Sequence, residues 1–224
     1  MGAVRRLTLG ALVISALAGP AAVFALEGQV IYTEGTVTVT SGGSSQDAGP
    51  GTRLSQGDLV TTGPDGLAVI DLSNATQLKL RESTSVVIDA IGSDTKVSLT
   101  TGAVFTRILG KLSGSFSVQV ERVVAGVRGT EFFVAYGRTI DSQRDIWLCV
   151  NSGLVDVSIP AANQHTLVPA GKGINIVGGE KLTPARSYTW TRGLNWNMDA
   201  ANGGVQDHTS LDQAYSDLLN HDYQ

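Results

Sequence analysis

From Gly28 onward the chain is written in short apolar runs, with a turn signal roughly every 8 to 12 residues. That punctuation leaves little room for anything but β-structure. Val37 and Val39 alternate with Thr36, Thr38 and Thr40, and Leu78 and Leu80 alternate with Gln77, Lys79 and Arg81. Phe116, Val118 and Val120 alternate in turn with Ser117, Gln119 and Glu121. Alternation of this kind marks strands that bury one face. Further strands are expected at 29–32, 54–62, 67–72, 86–89, 96–99, 102–109, 130–136, 146–150, 155–159, 165–168 and 174–177. Residues 41–51 (SGGSSQDAGPG) have no periodicity and read as a loop. Gly63-Pro64-Asp65-Gly66 reads as a hairpin turn returning into 67–72, because Pro fixes φ and Gly accepts the left-handed position.

A small phrase recurs: Glu34-Gly35-Thr36-Val37, Thr101-Gly102-Ala103-Val104 and Ser152-Gly153-Leu154-Val155. Each is a polar residue, Gly, any residue, then Val. The spacing is not constant, so it is one corner type used again and not a fixed-period repeat. These features predict an all-β fold, a solenoid-like stack of short strands and hairpins, with a β-sandwich as the alternative. After Pro184 the pattern changes. Tyr188, Trp190, Trp196 and Met198 fall in a short segment of helical character. Thr209 or Ser210 then caps a final helix bearing Leu211, Ala214, Tyr215, Leu218 and Leu219 on one face.

The N-terminus has the form of an export signal. Arg5 and Arg6 precede an apolar run from Leu7, Gly19-Pro20 breaks it, and Val23-Phe24-Ala25 offers a cleavage site. The expected organisation is a signal peptide at 1–25, a β domain at 26–184 and a helical appendage at 185–224. Cleavage leaves no transmembrane span and places the protein in the periplasm or outside the cell. Of the 16 basic residues, Arg5 and Arg6 leave with the signal, so the mature chain is mildly acidic against 20 Asp and Glu. No basic stripe occurs, which argues against a nucleic-acid partner. The one cysteine, Cys149, lies within Ile146-Trp147-Leu148-Cys149-Val150 and reads as a small buried hydrophobe. A disulfide scaffold and a cysteine metal site are excluded.

Catalytic templates are missing. There is no Gly-x-Ser-x-Gly elbow, no P-loop and no dinucleotide fingerprint. The three histidines, His165, His208 and His221, form no ligand cluster. No catalytic residue, cofactor or metal is expected.

Read together, these blocks resemble the extracytoplasmic domain of the FecR family. The resemblance is carried by GDLVTTGPDGLAVIDLSNATQLKLRESTSVVI at 57–88, VSLTTGAVFTRI at 97–108 and VVAGVRGTEFFV at 123–134. Gly-Leu-Val-Asp-Val at 153–157 and PAGKG at 169–173 add to it, for coverage of about 28 to 178. It implies a periplasmic, β-rich, solenoid-like module; well-known members relay a signal from an outer-membrane receptor to a cytoplasmic sigma factor. Only residues 1–6 precede the apolar run here, so no sigma-binding domain is expected, and the forty residues after Pro184 are expected to be too short for a receptor-contacting one.

The motif residues Gly57, Asp58, Gly126, Arg128, Gly129 and Thr130 are expected to be structural. Gly126 to Thr130 is expected to be a corner between two strands, with Arg128 bridging to carbonyls or to Glu131 or Asp58. Tyr188, Trp190 and Trp196 are candidates for contact with a partner or glycan, against core packing as the plainer reading. The expected function is a non-enzymatic, exported binding or scaffold module acting through an envelope protein or glycan. Alternatives are an envelope polysaccharide-active enzyme and a membrane-anchored signal relay.

Overall fold

The computed structural model describes residues 28–72, 75–110, 112, 114–127, 129–140 and 143–213. The signal peptide, Asn74, Arg128 and the helix beyond Gln213 lie outside the described residues. The described residues form sixteen strands. In chain order they are β1 (Gly28–Glu34), β2 (Val37–Ser41), β3 (Ser44–Asp47), β4 (Arg53–Leu54), β5 (Leu59–Thr62), β6 (Leu67–Leu72), β7 (Thr76–Leu80) and β8 (Ser85–Ala90). The second half runs β9 (Asp94–Ile108), β10 (Ser115–Val120), β11 (Val123–Val127), β12 (Glu131–Ile140), β13 (Gln143–Ser152), β14 (Leu154–Ile159), β15 (Gln164–Pro169) and β16 (Gly173–Val177).

Hydrogen bonding sorts them into two series. The first runs β4-β1-β6-β7-β9-β12-β13-β16. The second runs β3-β2-β5-β8-β9-β10-β11-β14-β15. Strand β9 belongs to both, which joins them into one network. Its first half pairs with β8 and, in parallel, with β10; from Gly102 onward it pairs with β7 and β12. One apolar core draws on both series, from Val30, Ile70, Leu78, Val104 and Val134 in the first to Val60, Ile88, Val97, Val118 and Val157 in the second. The all-β expectation is met.

Four local expectations are corrected. Residues 96–99 and 102–109 are one 15-residue strand, β9, which bends at Gly102 without breaking. The expected loop 41–51 contains β3, because Gly42 and Gly43, both at positive φ, turn the chain back onto β2. The turn at Gly63–Gly66 closes with a 2.9 Å bond from the Gly66 N–H to the Gly63 carbonyl, yet it makes no hairpin. Strand β5 pairs with β2 and β8, and β6 with β1 and β7, so this turn carries the chain from one series to the other. Strand β11 occupies residues expected to lead into a corner.

The recurrent glycine phrase marks the places where the chain crosses between series. Gly35, Gly102 and Gly153 have φ of 57°, 89° and 81°. Each crossing lies against another corner. A Cβ on Gly35 would stand 2.1 Å from the Asp65 carbonyl oxygen, on Gly102 2.3 Å from Thr84 Oγ1, and on Gly153 2.6 Å from Thr130 Cγ2. Main-chain bonds tie these corners together: the Gly63 N–H donates to the Thr36 carbonyl (2.8 Å) and the Ser83 N–H to the Gly63 carbonyl (2.9 Å). Buried Thr84 continues the line, its Oγ1 accepting from the Ala103 N–H at 3.0 Å. The stacked corners and the two series around one core are both features of this fold.

Candidate functional site

The motif residues divide by position. Gly57, at φ 93°, and Asp58 form a turn in which Asp58 Oδ2 accepts from the Ser55 N–H at 2.8 Å. Asp58 is buried, and its carbonyl accepts from the Ile88 N–H at 2.9 Å, tying the turn to β8. Gly129, at φ 65°, and buried Thr130 make the corner into β12, where the Thr130 carbonyl accepts from the Ile108 N–H. Gly126 is different. It sits inside β11, paired with Ser117 and Asp156, and a Cβ there would meet only the Asp156 carbonyl at 3.9 Å. The expected corner at Gly126 to Thr130 therefore shrinks to its last residues. Glu131, one expected partner of Arg128, is held elsewhere: Arg107 Nε donates to its Oε1 at 2.7 Å, and the Asn151 amide donates to Oε2.

The described segment after Arg186, which ends at Gln213, is packed against the β body. It crosses the outer face of the first series as a strap. That face carries Leu67, Val69, Ala103, Phe105, Phe133, Ala135, Trp147 and Cys149, which form a second buried cluster with Leu194, Met198 and Val205 of the strap. Tyr188 is buried, and Trp196 stands edge-on to Phe105 with centroids 5.2 Å apart. Both rings are thus occupied in packing, as amphipathic aromatics often are at such seams. Trp190 falls in a single 3-10 turn, Thr189–Gly193. The expected helix around 188–198 is replaced by chained Asx turns. Asn195 Oδ1 accepts from the Asn197 N–H (3.0 Å), Asn197 Oδ1 from the Asp199 N–H (3.1 Å), and Asp199 Oδ1 from the Ala201 N–H (2.9 Å). The terminal helix begins at Leu211, with Ser210 Oγ accepting from the Gln213 N–H at 3.3 Å.

Three cations of the sheet hold this strap by its carbonyls. Lys79, with no exposed surface, donates from Nζ to the carbonyls of Asn195 (2.5 Å), Asn197 (2.9 Å) and Val205 (3.0 Å). The ammonium also lies 4.2 Å from the Phe105 ring centroid, a cation–π contact. Arg107 Nη2 donates to the Trp196 carbonyl at 2.6 Å, and Arg81 Nη1 to the Thr209 carbonyl at 3.2 Å. Arg81 Nη1 also stands 3.0 Å from Asp207 Oδ2 as a buried ion pair. Asp207 Oδ1 in turn accepts from the Asn195 N–H (2.8 Å) and the Thr209 hydroxyl (2.9 Å). Burial lowers the Lys79 pKa from its ordinary 10.5 to about 8, with Asp207 opposing that shift. Burial likewise pushes the Cys149 thiol well up. Alternation places Lys79 and Arg81 on the face of β7 opposite Leu78 and Leu80, and says nothing of a strap over it. A signal was available: alternate positions in β9, β12 and β13 put Phe105, Phe133 and Trp147 on that same face, too apolar to be left to water.

A second feature is a free edge. Strand β15 pairs only with β14 among the described strands, and beside it lies an open groove of about 500 Å³. Gln164, His165, Thr166, Leu182 and Thr183 line it. Leu167 on β15 and Leu154 on β14 are the exposed large hydrophobics here, at 52% and 44%. Among the described residues no group of three His, Cys, Asp or Glu side chains is placed to hold a metal. Nor is any helix among them long and apolar enough to cross a membrane.

Stacked glycine corners, two strand series and a shared central strand define an all-β module whose corners recur between Asp58 and Asp156. That segment, residues 58–156, matches the family model described as FecR protein. Two crystal structures of a candidate anti-sigma factor from Parabacteroides distasonis ATCC 8503 are similar in fold. One matches at 15% identity and a TM-score of 0.50, over 61% of this chain and 67% of that one. The other matches at 14% and 0.49, over 58% of this chain and 59% of that one, so this chain spans about three-fifths of that length. No curated protein matches the chain.

Proposed function

We propose that this protein is an exported, non-enzymatic FecR-type binding module of the bacterial cell envelope, acting by protein–protein contact. The observation that carries this reading is the β15 edge. It combines unpaired main-chain groups, an adjoining open groove and exposed leucines, the features that an added strand from a partner uses. Export is supported by Arg5, Arg6 and the apolar run that follows them. The glycan reading has less support, since Tyr188 and Trp196 face the sheet.

The test places a photo-crosslinkable residue at His165, whose side chain is 72% exposed, and irradiates the protein in envelope extract. A discrete crosslinked protein is expected, and it should disappear in Leu167→Lys, because a lysine on an edge strand blocks strand addition. That variant should keep its thermal unfolding temperature, the site being on the surface. Crosslinking that persists in Leu167→Lys moves the contact away from this edge. Degradation of envelope glycan by the purified protein, with no crosslink, would favour the polysaccharide-active enzyme instead. A signal-relay role is the second reading, favoured by the FecR match. It requires a retained anchor, so an exported protein whose N-terminus is Leu26 would remove it.

A further inference from the structure

Among the described residues the two strand series end at β4 and β16, and at β3 and β15. Three of these ends are blunted. Strand β4 is two residues long. The edge of β16 is closed by the chain at 183–186, where Gly173 and Arg186 exchange main-chain bonds of 2.8 and 2.9 Å and the Thr183 hydroxyl donates to the Asn175 carbonyl at 2.9 Å. Strand β3 has four residues and carries Asp47. Short length, charge, bulges and covering segments are the ways sheets guard an edge. Strand β15 has six residues, no Lys, Arg, Asp or Glu, and no shift in its register with β14.

Its pairing fixes which main-chain groups are free. The Ala170 N–H donates to the Gly153 carbonyl at 3.1 Å, in line with the β14 register. Ala170 therefore bonds toward β14, and with period 2 so do Val168, Thr166 and Gln164. His165, Leu167 and Pro169 turn their main-chain groups outward. Pro169, with no N–H to give, stands where the sheet uses none.

We propose that β15 pairs with β15 of a second copy of this chain, antiparallel about a two-fold axis between the two Thr166 residues. The proposal rests on the edge contact described under the function above and names its occupant.

Register is the argument for a second copy. About that axis His165 of each copy lies opposite Leu167 of the other, and each such pair exchanges both of its N–H···O bonds. A shift of one residue would set exposed side chains beside buried ones. A shift of two residues brings Pro169 opposite His165, losing a donor, or brings Asn163, at φ 50°, opposite Leu167. The edge thus satisfies itself fully in one register. The side chains agree with it. His165 and Leu167 are exposed on one face, beside Leu154 and Asp156 of β14. In the pair each Leu167 is flanked by the second copy's His165 ring, and no like charges meet on the two β15 strands. The open groove along Gln164, His165 and Thr166 leaves room for the added strand.

The test uses the purified chain carrying Thr166→Cys. The two Thr166 positions form a non-hydrogen-bonded pair with Cα atoms about 4.5 Å apart, within reach of a disulfide. Under mild oxidation this variant should become a covalent dimer. Gln164→Cys should not, because the two Gln164 positions lie four residues apart along the paired strands, and the native thiol, Cys149, is buried. Sedimentation of the unsubstituted chain should show its mass double as concentration rises, while Leu167→Lys stays at the monomer mass. A monomer at every concentration overturns the proposal, as does a dimer that Leu167→Lys leaves intact or equal crosslinking at the two cysteine positions. The edge reading fails separately. With the second copy overturned, a crosslink from His165 to a different envelope protein, lost in Leu167→Lys, would keep the edge as a docking strand; loss of that crosslink as well would remove the edge itself.

Discussion

At the scale of single residues, glycine decides where the chain can change series. At Gly35 and Gly153 a side chain faces two obstacles at once, a left-handed backbone and a neighbouring corner under 3 Å from any Cβ. Each obstacle costs about 1–3 kcal/mol, so Gly35→Ala and Gly153→Ala should each lose about 2–4 kcal/mol in denaturant unfolding. Gly126→Ala is the control. Its backbone is an ordinary strand with open space above it, and the change should fall within about 1 kcal/mol of neutral. Equal losses at Gly126 and Gly153 would refute this account of the corners. The two glycines look alike in sequence. Only the identity of the facing atom separates them, Asp156 carbonyl at 3.9 Å against Thr130 Cγ2 at 2.6 Å.

At the scale of elements, the strap explains an oddity of composition. Strands β6 and β7 are buried on both faces although they belong to a sheet whose outer side should meet water. Leu194, Met198 and Val205 cover that side, and Lys79 gives up its water for main-chain carbonyls. The lowering of its pKa corresponds to a penalty on the order of 3 kcal/mol at neutral pH, set against the apolar burial of three strap side chains. Such a balance makes the strap the first element to open. Met198→Ala should speed Cys149 labelling at pH 7 by at least about tenfold, through the loss of one buried side chain over the cluster. The unfolding midpoint seen by far-ultraviolet circular dichroism should move far less. Unchanged labelling would mean that the thiol is reached by another route.

For the whole molecule, β9 and the shared core make the two series one cooperative unit. Thermal unfolding followed by circular dichroism should show a single transition for the β body, not one per series. Two separated transitions, neither altered by Met198→Ala, would show that β9 does not couple them. Pairing between strands distant in sequence, such as β1 with β6, β11 with β14 and β13 with β16, raises contact order, so refolding should be slow for a domain of this size.

Much of this was legible in the amino-acid order, because much of it is local. One-sided strands follow from alternation at Val37–Val39 or Phe116–Val120, and a side chain at every second position has one available face. The three-fold glycine phrase announced its corners, since φ above zero is a property of one residue. Pairing was not legible. Nothing local in Gly63-Pro64-Asp65-Gly66 distinguishes a hairpin from a crossing, and nothing in Thr101-Gly102 says that the strand continues through it. Those outcomes depend on neighbours tens of residues away, Thr36 in one case and Thr84 in the other. The candidate site divides the same way. Lys79 was read correctly as lying on the polar side of β7, and only the arrival of residues 195–205 turned that side into an interior. The sequence alone determined the class of fold, because strand and turn chemistry is short-range. The tertiary structure decided which corners stack, which strand serves both series and which lysine is buried, because burial is a property of what comes to lie on top.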